Sequence, residues 1–328
     1  WLGRWLRACR VDTYLANRSH MQRLAFYSRA RLHQLTDQLE LAYERSPGYL
    51  VLLRSEKDQK LAQPGLQVLR DAGVTFHQID AAAARTVEPA LNQDTAFAGA
   101  IHLPDDEVGN CRQFALMLRR HAEMLGARFV FNTTVATVVP GPQAAVAIAG
   151  EPSPRRFDAV VVCAGLASAT LLRPLGLKIP MAAVYGYSIS ANIREPLNAP
   201  RSAVMDERYK VAISRLGMRV RVAGSAEIGG RLDTKRPAAL QTLYKVLHDW
   251  FPGAAQMSGG VQEWKGARPM LPDGPPIVGA SGIPGIWLNL GHGSSGWALS
   301  CGSARAVADL VGGRTPDVDL QGLGIERL

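Results

Sequence analysis

Cysteine is scarce in this chain and placed without pattern. Cys9, Cys111, Cys163 and Cys301 lie far apart, and no Cys-x-x-Cys pair occurs. That spacing argues against a metal site and against a disulfide framework, and suits a reducing compartment. No apolar run approaches the roughly 20 residues needed to cross a bilayer. The first residue is Trp1 rather than Met, and no charged–apolar–small pattern marks a leader, so the sequence reads as though a segment preceded it. Aromatics make up 7% of the chain and form no stripe with basic residues, which argues against a base-stacking surface and against nucleic acid as partner. The net charge of +9, from 37 basic and 28 acidic side chains, fits an acidic substrate or an anionic membrane surface better.

What is present is core material: 47% of the 328 residues are apolar and 20% charged, enough for about two domains. Helical spacing predicts a helix over 15–39, with Met21, Ala25, Leu32, Leu35 and Leu39 on one stripe. A strand over 48–55, a polar helix to Gly73 and a short strand VTFHQI follow. Asn110 is the expected N-cap of a helix using Cys111, Phe114, Leu118, Ala122 and Leu125. Strands are expected near 128–131, 134–139 and 145–148. The run FDAVVVCAG (157–165) reads as a central strand buried on both faces. From about 180 to 224 the pattern turns antiparallel β, then a helix covers 235–250 with Leu240, Leu243 and Leu247 inward. A last helix begins at Ser294 or Ser295, buries Trp297, Cys301, Ala304 and Ala308, and stops at Gly312-Gly313.

The densest chemistry lies between Trp264 and Trp297. Arg268 precedes Pro269 at the end of an apparent strand, where a guanidinium can clamp a carboxylate through two parallel hydrogen bonds. Gly291, Gly293 and Gly296 then interrupt a strand-to-helix turn, Gly291-His292-Gly293-Ser294-Ser295-Gly296, letting backbone N–H groups approach a ligand. The letters match G-x-G-x-x-G, but too little chain follows to complete a mononucleotide-binding half, so the match is not a dinucleotide fingerprint. Trp1, Leu2, Trp5, Leu6 and Cys9 form one apolar face flanked by Arg4, Arg7 and Arg10. That face reads as an interfacial helix or as a core helix, and for so short a segment the core is the expectation.

Several stretches together resemble the small subunit of bacterial D-amino-acid dehydrogenases, of the FAD-dependent D-amino-acid oxidase superfamily. They are WLGRWLRACR, RLAFYSRARLHQL, LPDDEVGNCRQFALML, FDAVVVCAG, YGYSIS, ERYKVAISR, RVRVAGSAEI, GARPMLPDGPPIVG and LNLGHGSSGWALSCGSARAVADLVGGRTP. Ser294-Ser295 and Pro47-Gly48-Tyr49 depart from the family's usual Thr-Leu and Gly-Gly-Thr. The resemblance implies a mixed α/β fold in which an incomplete Rossmann-like FAD domain (1–45, 96–175 and 265–328) interleaves with an antiparallel substrate domain (46–95 and 176–264). It implies a strand–glycine turn–helix unit ahead of Trp1 that holds the FAD pyrophosphate, so these 328 residues alone are expected to bind FAD poorly. It makes Arg268 the carboxylate anchor, with Tyr187 a second substrate contact that Tyr185 rivals. Val135, Ala164, Gly165, Gly291, His292, Gly293, Ser294, Ser295, Gly296 and Trp297 become flavin contacts. No general base is expected: a neutral amine lets the Cα hydrogen leave as hydride, so His292 is a loop residue and not a catalyst.

The implied reaction converts a D-amino acid, typically D-alanine, to a 2-oxo acid and ammonia, with electrons passing to a quinone. The implied location is cytoplasmic and peripheral on the inner membrane, with a partner subunit. A glycine, sarcosine or hydroxyproline oxidase of the same superfamily, or a truncated inactive remnant, are the alternatives.

Overall fold

The computed structural model describes all 328 residues, and the chain divides into two compact units that alternate along the sequence. Unit 1 comprises 1–41, 118–184 and 267–328; unit 2 comprises 42–117 and 185–266. Unit 1 opens with α1 (Leu2–Ala8) and α2 (Val11–Gln38). Unit 2 begins with β1 (Ser46–Leu53), α3 (Glu56–Asp71), β2 (His77–Ile79), α4 (Ala81–Val87) and β3 (Gly99–Val108), and α5 (Cys111–Met124) leads out of it. Unit 1 continues through β4 (Val135–Val139), β5 (Ala144–Ile148), β6 (Arg155–Phe157), β7 (Val160–Val162) and α6 (Ala167–Leu172). Then come β8 (Ala182–Asn192), β9 (Ala203–Asp206), β10 (Val211–Leu216), β11 (Arg219–Ile228), α7 (Pro237–Trp250) and β12 (Gln262–Met270). Unit 1 closes with β13 (Ile277–Ala280), β14 (Ile286–Leu290) and α8 (Gly296–Val311).

Unit 2 is built on an eight-stranded sheet of order β12-β8-β11-β10-β9-β1-β3-β2. Helix α7 covers it because Leu240, Leu243, Val246, Leu247 and Trp250 recur at helical spacing and are all buried. The Trp250 indole N–H donates to Asp206 Oδ2 at 2.7 Å, and Arg54 Nε donates to the same oxygen at 2.7 Å. Arg54 also reaches Asp249 at 2.7 Å, and its guanidinium lies 4.8 Å from the Trp250 ring. The fully buried Asp206 carboxylate is therefore paired and hydrogen-bonded, the condition under which a charge is tolerated inside.

Unit 1 holds two three-stranded sheets. In one, β4-β5-β6, the chain meanders antiparallel. In the other, β13-β14-β7, β14 pairs antiparallel with β13 and parallel with β7. Val138, Val162, Leu172, Ile286 and Leu288 share one buried cluster of this unit. Helices α2 and α8 pack at Gly302, whose N–H donates to Ser28 Oγ at 3.1 Å. A Cβ at position 302 stands only 2.9 Å from Ser28 Cα, so a side chain there forces the helices apart.

Several expectations are corrected. The region 96–117 belongs to unit 2, not with the cofactor-side segments, because β3 pairs with β1 from Gly99 to Val108. Residues 176–184 belong to unit 1, and residues 265 and 266 to unit 2. No strand forms at 128–131; Phe129 and Phe131 stack on each other there, with the Arg119 guanidinium 5.3 Å from the Phe131 ring. In the run 157–165, Phe157 ends β6 and only Val160–Val162 form β7, at the end of its sheet; Val162 is buried while Val161 and Cys163 are exposed. Helix α8 buries Leu299, Gly302, Ser303, Ala306 and Val307 with Cys301, whereas Ala304 and Ala308 face solvent. On α5 only Phe114 is buried. Helix α1 buries no residue, against the expectation of a core helix.

The sign of one substitution reports the α2–α8 contact. At an open helix position Gly→Ala stabilises by roughly 1 kcal/mol. Gly302→Ala should instead destabilise by about 1–3 kcal/mol, as overpacking does. A lower urea midpoint at unchanged slope is the expected result; a raised midpoint contradicts the packing.

Candidate active site

The parallel pairing of β14 with β7 fixes the geometry of unit 1. Ile286, Trp287 and Leu288 stand opposite Val160, Val161 and Val162. Both strands therefore end at the same edge, and the turns that follow them, Cys163–Gly165 and Gly291–Gly296, emerge side by side. Ligands of open α/β sheets bind at such carboxyl ends. The two turns meet the need for tight backbone in the same way: Gly165 has φ +56°, Gly291 +77° and Gly293 +56°.

The glycines of the second turn are required by what lies beneath them. A Cβ on Gly291 comes within 2.5 Å of Leu271, and one on Gly293 collides with the Met270 sulfur. Met270 also bridges to His292 through the backbone. Its side chain thus faces the turn, and Arg268, two residues earlier on β12, shares that strand face about 7 Å away along the strand. Arg268 is half-buried, and burial holds its guanidinium below its ordinary pKa. The structure brings the expected anchor and the expected cofactor turn together within unit 1.

His292 is the other titratable group of the turn. Its Nε2 lies 3.0 Å from Ser303 Oγ, and burial pulls its pKa down to about 4. The imidazole is neutral at pH 7 and a weak proton acceptor, which agrees with a loop role. Ser294 is exposed, whereas Ser295, Gly296 and Trp297 are half-buried. No side chain caps the first turn of α8, and the positive end of its dipole lies at the Gly291–Gly296 turn.

The remaining expected residues are placed less uniformly. Ala164 is exposed, and Gly165 has open space where a Cβ would stand. Val135 begins β4, in the other sheet of unit 1, and is 37% exposed. Tyr187 is buried in the core of unit 2. Its hydroxyl donates to Glu227 and accepts from the Arg236 N–H at 3.1 Å. A phenol so committed has little to offer a substrate. Its expected substrate contact is replaced by a structural one, and Tyr185 remains half-buried with its ring 4.6 Å from Lys265 Nζ. Met270, Leu271 and Ser303 were not among the expected site residues. They act from beneath the turn, and no local spacing marks a methionine or leucine as the floor of a glycine loop.

A family model described as FAD dependent oxidoreductase matches residues 3–310. The chain belongs to that family. Among its relatives, the D-amino acid dehydrogenase of Bradyrhizobium diazoefficiens is 40% identical, with the match covering all of this chain and 78% of that protein. The D-amino acid dehydrogenase of Cereibacter sphaeroides is 42% identical over 98% of this chain and 74% of its own length. Among solved structures, the glycine oxidase of Geobacillus kaustophilus superimposes with a TM-score of 0.83 at 22% identity, covering 93% of this chain and 82% of that one. L-proline dehydrogenase from P. horikoshii gives 0.78 at 16% identity, over 93% and 82%. At those identities the likeness is one of fold. The mixed α/β expectation holds for this FAD-dependent oxidoreductase, and the residues present fit the flavin end of the cofactor: an uncapped helix start, a glycine turn and a neighbouring open turn at Gly165.

The neutral state of His292 has a consequence for stability. Its folded pKa of about 4 lies below the unfolded 6.5, so unfolding takes up a proton as pH falls between these values. Stability from this group is complete above pH 6.5 and declines toward pH 4, by at most about 3.4 kcal/mol. His292→Gln should flatten that part of the profile in urea titrations; an unaltered slope contradicts the assignment.

Proposed function

We propose that this chain oxidises D-amino acids at Cα, D-alanine being the representative substrate. The observation that carries the proposal is the placement of Arg268 on the strand face that supports the Gly291–Gly296 turn. The D-amino acid dehydrogenases among its relatives support the same reading. Arg268 binds the substrate carboxylate as a two-pronged fork, which fixes Cα relative to the turn and converts collision into a positioned encounter. Half-burial strengthens that fork by lowering the local dielectric. The chemistry that FAD supplies when bound is acceptance of the hydride lost from Cα. The amine enters neutral, and its lone pair forms the C=N bond as the hydride leaves. His292 holds its place in the turn through Ser303 and carries no proton in this step. The resulting iminium loses a proton to water, and hydrolysis of the imine gives the 2-oxo acid and ammonia.

Electrons leave to a quinone at the inner membrane in this proposal, with the protein attached peripherally. No helix is long and apolar enough to cross a membrane.

Arg268→Ala should raise KM for D-alanine by the equivalent of about 2–5 kcal/mol, the usual cost of removing one partner from a buried charge pair. Arg268→Lys should recover only part, because an ammonium cannot form the planar fork. Steady-state assays with added FAD, using D-alanine against sarcosine and a quinone against oxygen, check both the anchor and the substrate class. Unchanged kinetics in both variants removes Arg268 from the site; preference for sarcosine replaces the dehydrogenase reading with an amine oxidase.

A further inference from the structure

Strand β12 carries a second functional candidate, four residues before Arg268. Side chains alternate along a strand, so Trp264, Gly266, Arg268 and Met270 share one face of β12. Gly266 is buried, and the Trp264 indole lies against it. A Cβ at position 266 would collide with the Cη2, Cζ2 and Cζ3 atoms of that ring. The indole therefore lies along the strand toward Arg268, in space that only glycine leaves free. Two strand residues span about 7 Å, so the ring ends roughly one such step short of the guanidinium's own position on the strand.

The order along this face fixes what surrounds a carboxylate held by Arg268. The anchor stands between the indole on one side and, on the other, Met270, which bridges to His292 of the turn. With Cα directed at the turn, a substituent directed the other way along the strand meets the ring. An indole gives apolar and aromatic groups a broad contact surface, and its electron-rich face repels a carboxylate. The neighbouring charge does not compete. Lys265 points to the opposite face of β12, where its ammonium is committed to Glu227 and to the Arg231 and Thr234 carbonyls.

We propose that Trp264 is a specificity-determining residue: its indole, laid over Gly266, receives the side chain of an amino acid whose carboxylate Arg268 holds. The substrates so favoured are D-amino acids with apolar or aromatic side chains, and those with acidic side chains are disfavoured. The proposal rests on Arg268 as the carboxylate anchor and names the side-chain class that the anchor alone leaves open.

Calorimetric titration of the full chain with propionate, 3-phenylpropionate and glutarate tests it without turnover, since these acids carry no amino group to oxidise. The expected order of affinity is 3-phenylpropionate, propionate, glutarate, with the first roughly three- to tenfold tighter than the second. Trp264→Ala should bring 3-phenylpropionate and propionate within about twofold of each other. Gly266→Ala should do the same with the tryptophan retained, because its methyl displaces the ring. Arg268→Ala should remove binding of all three acids. Thermal melts confirm that each variant keeps the fold. With added FAD, the kcat/KM ratio of D-phenylalanine to D-alanine should fall in both the Trp264 and the Gly266 variant. A wild-type protein without preference for 3-phenylpropionate, or a preference that survives both substitutions, overturns the proposal and leaves the anchor standing. Binding that survives Arg268→Ala, or wild-type protein that binds none of the acids, overturns the anchor and this proposal with it.

Discussion

The register of β14 governs the candidate site. Because Ile286–Leu288 runs parallel to Val160–Val162, two turns that are more than a hundred residues apart in sequence leave the sheet at one edge. Because the next residues after β14 bridge back to Met270, the end of β12 is drawn to that same edge. A slip of one residue in β14 reverses every side chain along it and moves Gly291 off Leu271. The positive φ at Gly291 and Gly293 and the absence of a Cβ are then consequences of how closely Leu271 and Met270 approach from below.

Packing elsewhere keeps this edge rigid. The sheet core of Val162, Ile286 and Leu288 is apolar and closed, and α8 is tied to α2 through the Gly302–Ser28 contact just after the turn. Rigid support matters because a carboxylate clamp acts by position: displacement of about 1 Å costs far more than the hydrogen bond itself. Unit 2 has its own anchor in the Arg54–Asp206–Trp250 cluster, where a buried carboxylate is fully satisfied. Lys265 plays a comparable part, with Glu227 at 2.9 Å and the Arg231 and Thr234 carbonyls at 2.6 Å each. The Tyr187 hydroxyl belongs to that group through Glu227.

Local pattern was informative wherever one element sets its own face. The helix of α7, the hairpin of β10 and β11, and the turn-to-helix transition at Gly291–Gly296 were all legible from spacing and glycine placement. Arg268 was legible only as a guanidinium beside a proline; its partnership with the turn depends on a strand bridge between positions 270 and 292. The buried stripe of α8 departs from apolar periodicity because Gly302, without a side chain, carries the contact with Ser28 and Ser303 the contact with His292, while Ala304 and Ala308 face solvent. The double-sided burial expected of Val160–Cys163 is not found, since Val162 is buried while Val161 and Cys163 are exposed, a tertiary fact that an apolar run does not encode. Tyr187 illustrates the same limit: alternation put it on a face with Tyr185, but Glu227 and the Arg236 N–H decide that it is structural.

The central claim is that Arg268 receives a substrate carboxylate at the glycine turn. A crystal structure of the protein with FAD and propionate, which is alanine without its amino group, tests it most directly. The account predicts both propionate oxygens on the Arg268 guanidinium at about 2.7–2.9 Å, with the methylene directed toward Gly291–Gly296. Propionate bound elsewhere, or an Arg268 side chain turned away from that turn, contradicts it.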